Sequence, residues 1–368
     1  TIADLGREMD LSVPTVTKLV TELQEDSYIL DFGKQDTNGG RKPNIYGLNP
    51  ASGYFVGVDM LKDKLNMAAI DFKGDKVQLE ENVPYELKNT PASFDEFCRI
   101  IEDFIVSLPI ERNKILAVGV NISGRVNPVS GYSYSIFYFD EKPLAQILEE
   151  RLQAKVFIEN DSRAMTYGEY MKGVVQGEKN ILFINMAWGL GLGIIVDGNL
   201  YYGRSGFSGE FGHFCMFDNE VLCHCGKKGC LETEASGAAL YRILLERIGS
   251  GESSILSKRT AENPPTLDEI ITAVNKEDLL CIEIVEEIGQ KLGRQIAGLI
   301  SIFNPELVII GGTLSSTGDY IVQPIKTAIR KYSLNLVNKD ATVTVSKLKD
   351  KAGVVGACML ARSRMFEI

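Results

Sequence analysis

The chain has 368 residues, 45% of them hydrophobic and 24% charged, with a net charge of −10 at neutral pH. That length gives room for two or three domains with ample core, and the balance of apolar and charged residues excludes a disordered chain. The excess of acid excludes nonspecific nucleic-acid binding by the molecule as a whole, while leaving room for a local DNA-reading face.

The longest uncharged run, residues 181–196, carries Asn185 and three glycines and is too short for a bilayer helix, so it reads as a buried strand, turn and strand. No membrane partner is expected. There is no basic, apolar-cored leader, and the seven cysteines are clustered rather than spaced in pairs, which fits a reducing cytoplasm with thiolates kept for metal. Thr1 in place of Met implies residues upstream of it. Cys98, Cys281 and Cys358 sit in apolar-periodic segments and read as core.

In chain order, residues 2–9 have apolar side chains at helical spacing, residues 10–12 interrupt them, and Val16, Leu19, Val20 and Leu23 start a second helix. Ser12 is suited to cap that helix and Pro14 to sit in its first turn. Ser12, Thr15, Thr17, Lys18 and Thr21 fall on its exposed faces, a composition that suits phosphate oxygens and base edges. Strands at 28–32 and 44–48 flank a turn at 36–40 and the basic pair Arg41 and Lys42, which makes a wing. A winged helix-turn-helix over residues 1–50, with operator DNA as its partner, is therefore expected. The segment holds five basic and eight acidic side chains, so binding would depend on the second helix and the wing rather than on bulk charge. The same pattern also suits a solvated helical pair used for dimerisation.

After a turn-rich seam at 49–53, strands at 54–59 and 65–71 form a hairpin. Residues 181–186, the glycine turn 189–193 and residues 194–197 repeat that grammar, which predicts a duplicated lobe whose two hairpin turns face one cleft. Between the hairpins lie a helix at 92–108, a strand at 115–122, the small-residue loop 123–131 with Ser123 and Gly124, a helix at 143–152, and a strand at 156–159 ending in Asn160 and Asp161. Carboxylates and amides at strand ends hold hydroxyl-rich ligands, and Asp161 has the chemistry of a general base. The alternative is an Asx cap opening the next helix. Further on, helices are predicted at 237–248, 266–280 and 281–302, a strand at 307–310 followed by Gly311 and Gly312, and an apolar helix at 353–364 that packs back on the first lobe.

Residues 213–230 carry the strongest single signal. His213, Cys223, Cys225 and Cys230 supply one imidazole and three thiolates, a four-ligand tetrahedral set suited to structural zinc. His224 is available to replace His213, and Cys215 to join. Zinc there would fix the loop that bears Glu210 and Glu232.

From Met186 through Gly189, Gly191, Gly193 and Gly203 to Gly209-Glu210-Phe211-Gly212-His213, and on to Cys223-His224-Cys225 and Cys230-Leu231-Glu232, the chain resembles the ROK family of repressors, open reading frames and kinases over nearly its whole length. The resemblance implies an α/β fold: a winged helix-turn-helix followed by two actin/hexokinase-like lobes and a structural zinc site. It implies lobes at 51–172 with 352–368 and at 173–351, and sugar contacts at Ser123, Gly124, Asn160, Asp161, Glu210, His213 and Glu232. Asp161 would be the catalytic base in a kinase member, and the leading helices with their wing resemble the repressor branch, which implies a homodimer or a dimer of dimers.

The departures fall on the nucleotide side. ROK kinases carry Asp-x-Gly-Gly-Thr in the first hairpin, where this chain reads Asp59-Met60-Leu61-Lys62-Asp63, and bulky side chains with an added acid oppose a polyphosphate. Leu190 replaces a usual Thr, and Ser162-Arg163 a usual Ala-Asn. Asp59, Gly189, Gly191, Gly311 and Gly312 would mark a degenerate nucleotide site. The expectation is a sugar-responsive repressor that binds a monosaccharide or its phosphate. The alternatives are an ATP-dependent, glucokinase-like sugar kinase using magnesium and Asp161, and a constitutive DNA-binding protein with a vestigial cleft.

Overall fold

The computed structural model describes residues 1–34, 43–139, 141–259 and 263–367. Helix α1 (Ile2–Glu8) opens on a capping box between Thr1 and Asp4, and α2 (Val13–Glu25) is capped by Ser12 with Pro14 in its first turn. Val16 and Val20 form the buried stripe of α2, which leaves its hydroxyl-bearing face outward. Strands β1 (Ile29–Lys34) and β2 (Asn44–Leu48) pair antiparallel, Ile29 opposite Leu48. Arg41 and Lys42, at the expected tip of the wing, lie outside the described residues.

The hairpin β3 (Tyr54–Met60) and β4 (Lys64–Asp71) comes next, then β5 (Lys76–Pro84), α3 (Pro91–Ser107), β6 (Ile115–Ile122), the ribbon β7 (Val126–Asn127) with β8 (Tyr132–Ser133), α4 (Leu144–Leu152), β9 (Val156–Asn160) and α5 (Asp161–Lys172). A second series opens with the hairpin β10 (Ile181–Met186) and β11 (Leu190–Val196) and continues through β12 (Asn199–Leu200), α6 (Gly237–Gly249), α7 (Leu267–Asn275), α8 (Leu279–Phe303), β13 (Leu307–Gly311), α9 (Asp319–Tyr332), α10 (Asn335–Asp340) and β14 (Thr342–Val345). Helix α11 (Ala352–Phe366) closes the described chain.

The two sheets have the same plan, strand for strand: β5-β4-β3-β6-β9 and β12-β11-β10-β13-β14. In each, a hairpin is antiparallel and its first strand runs parallel to the next two. The repeat read from the two hairpins is thus a repeat of whole sheets. Central strands are covered on both faces, which is why their sequences are almost continuously apolar. Val56, Val58 and Met60 of β3 face α3 and α4, while Phe55 faces α11. Leu182, Ile184 and Met186 of β10 face the core of α6, α7, α8 and α9, and Ile181 and Phe183 face α5. Helices α5 and α11 therefore lie between the sheets. They approach so closely that a Cβ on Gly356 would come within 1.8 Å of the Ala164 carbonyl.

Three expectations are revised. The helix expected at 266–280 stops at Asn275, because Glu277 adopts a φ of 63° and Asp278 caps α8 through the Cys281 N–H at 3.0 Å. The turn expected at 189–193 is shorter: β11 begins at Leu190, so Gly191 and Gly193 are strand residues. Strands β5, β12 and β14 and helices α9 and α10 were not anticipated, although α9 carries a clear helical period in Ile321, Val322, Ile325 and Ile329, with Pro324 inside it. No helix among the described residues is long and apolar enough to cross a membrane.

Candidate functional site

Asp161 is the first residue of α5, where the positive end of the helix dipole favours a carboxylate. Its Oδ2 accepts the Ser123 hydroxyl at 2.7 Å, and its Oδ1 accepts the Ser162 N–H at 2.6 Å and the Asn160 amide at 3.0 Å. Burial holds its pKa above the ordinary 3.8, against the opposing hydrogen bonds from Ser123 and Ser162. Asn160 is the helix cap, accepting the Arg163 N–H at 3.2 Å, and the same side chain donates to the Gly124 carbonyl at 3.0 Å. The two readings of Asn160 are thus compatible: the cap aims the amide at the loop that carries Ser123 and Gly124.

Glu210 and His213 stand at the two ends of a 3-10 turn, where residues three apart overlie one another. Gly209, with a φ of 87°, lets this turn lie directly on β11. His213 then points both ways, its Nε2 3.7 Å from Glu210 Oε2 and its Nδ1 3.6 Å from Cys223 Sγ. Cys225 and Cys230 sulfurs are 3.6 Å apart, and the ligand atoms of His213, Cys223, Cys225 and Cys230 all lie within 4.8 Å of one another. Sulfurs bound at about 2.3 Å to one tetrahedral ion would be about 3.8 Å apart, so the four residues could hold a metal ion. Burial pushes the Cys223 thiol up to about 12, so a cation is what would keep this group ionised. Cys215 is exposed and directed at the Lys228 carbonyl, outside the set. His224 belongs to a different group with Cys223 and Glu232, its Nδ1 2.9 Å from Glu232 Oε1.

Glu232 ties this loop to the second hairpin by accepting the Leu190 N–H at 2.9 Å. A Cβ at Gly189 would sit 2.8 Å from Glu232 Oε2, so that glycine makes room for a carboxylate. Gly191 is needed for a similar reason, since a Cβ there would fall 2.0 Å from the Ser162 hydroxyl on α5. Gly311 and Gly312 lie at the end of β13, against Phe183 and Asn185. Asp59 is buried in β3, and burial together with the charge of Asp161 pushes its pKa up to about 7. The first hairpin's turn is reduced to Leu61, Lys62 and Asp63, whose Lys62 and Asp63 carbonyls are taken by the Leu87 and Tyr85 N–H groups. Lys62 places its ammonium 4.2 Å from the ring centre of Trp188, in the second hairpin's turn. The two turns therefore touch.

Sequence reading did not anticipate a buried ionic cluster. Glu159 binds Arg163 at 2.7 Å and also Arg364, while Arg163 donates to the Gly206 carbonyl at 2.7 Å and the Val126 carbonyl at 3.2 Å. Tyr202 lies between the two guanidinium groups, 5.6 and 5.8 Å from its ring. The substitution of Arg163 for a usual Asn was its one visible signal. A cavity of about 440 Å³ is lined by Glu210 together with Tyr201, Phe207, Phe214 and Phe303 and includes neither Asn160 nor Asp161. In the N-terminal segment, Ser12, Thr15, Thr17 and Lys18 are all exposed. Thr17 bonds the Val13 carbonyl at 2.8 Å, and Lys18 lies 3.7 Å from Glu22.

The ROK family profile matches residues 55–364. The chain belongs to the ROK family. Among relatives of this ROK protein, a putative xylose repressor from Caldicellulosiruptor sp. is 29% identical, covering 99% of this chain and 92% of that protein. A crystal structure of a ROK family transcriptional regulator, a homolog of the E. coli MLC protein, superposes with a TM-score of 0.84 at 26% identity, covering 100% of this chain and 92% of that one. A ROK family glucokinase from Streptomyces griseus, solved with glucose and AMPPNP, has a TM-score of 0.73 at 28% identity and covers 84% of this chain and 100% of its own. The two regulators thus match the ROK protein throughout, while the kinase leaves part of it unmatched. Its fold is accordingly the two-lobed, actin/hexokinase-like one.

Proposed function

We propose that this protein is a sugar-responsive, DNA-binding transcriptional repressor. Residues 1–50 would hold operator DNA, with Ser12, Thr15, Thr17 and Lys18 on α2 and Arg41 and Lys42 in the wing as its contacts. Residues 51–172 with 352–368 form one lobe and 173–351 the other, and a monosaccharide or its phosphate binds between them. Ser123, Gly124, Asn160, Asp161, Glu210, His213 and Glu232 are its contacts. Zinc is the metal assigned to His213, Cys223, Cys225 and Cys230; with four protein ligands it has no open position for water and serves as a brace. The protein acts in the cytoplasm as a homodimer or a dimer of dimers, since two-fold operators present half-sites at a spacing fixed by the DNA turn.

One observation carries this reading: the carboxylates and amides on the sugar side are held in order, while Lys62 over Trp188 occupies the turn that a kinase leaves open for phosphates. The test is fluorescence anisotropy with DNA from upstream of its own gene, titrated with hexoses, pentoses and N-acetylhexosamines. At least one sugar should change DNA affinity, and Glu210→Gln should abolish the change. A coupled assay should detect no ADP. Sugar-dependent ADP release that disappears in Asp161→Asn would instead establish a kinase.

A further inference from the structure

Residues 132–139 read Tyr-Ser-Tyr-Ser-Ile-Phe-Tyr-Phe, five aromatic side chains in eight positions of a chain that is 8% aromatic overall, so the concentration is local and needs a local cause. A buried anchor holds the segment. The Phe137 ring packs 5.1 Å from Phe94 and 5.9 Å from Phe97, and its N–H donates to Asn89 Oδ1 at 2.6 Å. Phe137 also takes a φ of 53°, a strained backbone for a bulky residue and one that persists only where surrounding structure imposes it. The neighbouring rings consequently face outward: Tyr134 is 50% exposed and Tyr138 58%. Tyr132, Ser133, Tyr134, Phe137 and Tyr138 wall a cavity of about 260 Å³. Its cation, Lys142, is paired with both Glu150 carboxylate oxygens at 3.0 and 3.2 Å, so the cavity does not call for an anion.

The cavity is lined by none of the proposed sugar contacts, but its wall is tied to the segments that carry them on both sides. The Tyr134 N–H donates to the Arg125 carbonyl at 2.9 Å, and the Arg125 N–H donates to the Ser135 hydroxyl at 3.0 Å, two residues beyond the Ser123 that binds Asp161. On the other side, the Tyr134 ring meets Phe207 edge-on at 5.5 Å, three residues before Glu210. Tyrosine faces attract the weakly positive C–H surface of a pyranose, while their hydroxyl tips suit its oxygens. Rigid, half-exposed aromatic rings beside a hydroxyl-binding pocket have the chemistry for a second sugar ring.

We propose that the cleft continues onto the shelf of Tyr132, Tyr134 and Tyr138, and that the effector is a neutral glycoside of at least two rings, one at Asp161 and Glu210 and the next on the shelf. This rests on the sugar-sensor reading. Calorimetry on the full chain with xylobiose, cellobiose and chitobiose, each against its own monosaccharide, tests it. At least one disaccharide should bind about tenfold tighter than its monosaccharide, the worth of one good aromatic contact. Tyr134→Ala should bring that disaccharide to the affinity of the monosaccharide and leave the monosaccharide unchanged, and Tyr134→Phe should keep most of the gain. The proposal is overturned if every disaccharide binds no better than its monosaccharide, or if Tyr134→Ala weakens both alike, as a merely structural residue would. If no sugar of either series binds, the sensor reading itself fails, and the shelf with it.

Discussion

The hairpins β3–β4 and β10–β11 occupy equivalent places in two sheets of identical strand order, but their turns are put to opposite uses. The second turn is small and serves a carboxylate: Gly189 leaves space for Glu232, which accepts the Leu190 N–H. The first turn is bulky and is sewn to the chain behind it through the Lys62 and Asp63 carbonyls. One sheet plan thus carries a turn that makes room for a carboxylate in one half and a turn closed by its own backbone bonds in the other. Backbone geometry was duplicated, and side-chain chemistry separated the copies.

The largest effect should come from removing what holds Glu232 in place. Zinc held as proposed would keep three ligands in Cys230→Ser, and structural zinc sites are worth on the order of 10 kcal/mol, so the variant should lose metal and several kcal/mol of stability. Atomic absorption and thermal unfolding measure both. Fluorescence of the single tryptophan, Trp188, should change as the second turn loses its carboxylate. A variant that retains one metal per chain at full stability would rule out Cys230 as a ligand.

A smaller change acts on the turn alone. Gly189→Ala places a methyl 2.8 Å from Glu232 Oε2, so the carboxylate must move. Sugar affinity should fall about tenfold, as expected for a displaced charge-assisted contact, with metal content unchanged. Equal affinity in wild type and variant, read by calorimetry, would disconnect Glu232 from the ligand.

How much of this was legible in the sequence follows the same division. The metal set, the Ser12 cap and both hairpins could be read because each rests on residues near one another in the chain. The Glu232–Leu190 bond, the Lys62–Trp188 contact and the Arg163 cluster could not, because they join segments 42, 126 and up to 205 residues apart. Gly191 was only half legible for a related reason: glycine serves equally to admit a phosphate and to admit a helix, and the sequence does not show that the Ser162 hydroxyl lies beside it. The aromatic segment 132–139 was visible as composition, but its meaning depends on the left-handed backbone at Phe137, which no periodicity announces.

Asp59 gives the first half a pH dependence. Its carboxyl, ordinarily near 3.8, is pushed up to about 7 in the folded chain, so between those values the folded state holds a proton that the unfolded state has released. Stability should therefore fall as pH rises through that window and flatten above it. Asn121 lies opposite Asp59 in the paired strand β6, and its hydrogen bond to Asp59 opposes the upward shift without cancelling it. Asp59→Asn removes the ionisation at every pH. Relative to wild type it should be more stable at pH 8 than at pH 5 by about 3 kcal/mol, measured by denaturant unfolding. Equal gains at both pH values would refute the ionisation argument.

The smallest expected effect asks whether the first turn differs from the second by one contact or by its whole construction. Lys62→Ala removes the ammonium from the Trp188 face, worth about 0.5–1 kcal/mol at a partly exposed site, and should shift Trp188 emission. It should not create ATP turnover, because Met60 remains buried in β3 and the turn's carbonyls remain bound to the Tyr85 and Leu87 N–H groups. The backbone amides that a phosphate would need are oriented by those bonds, and a side-chain truncation does not rotate them. ADP release from Lys62→Ala in the presence of a sugar would mean that a single lysine separates the two turns, and that the second half had kept a nucleotide site all along.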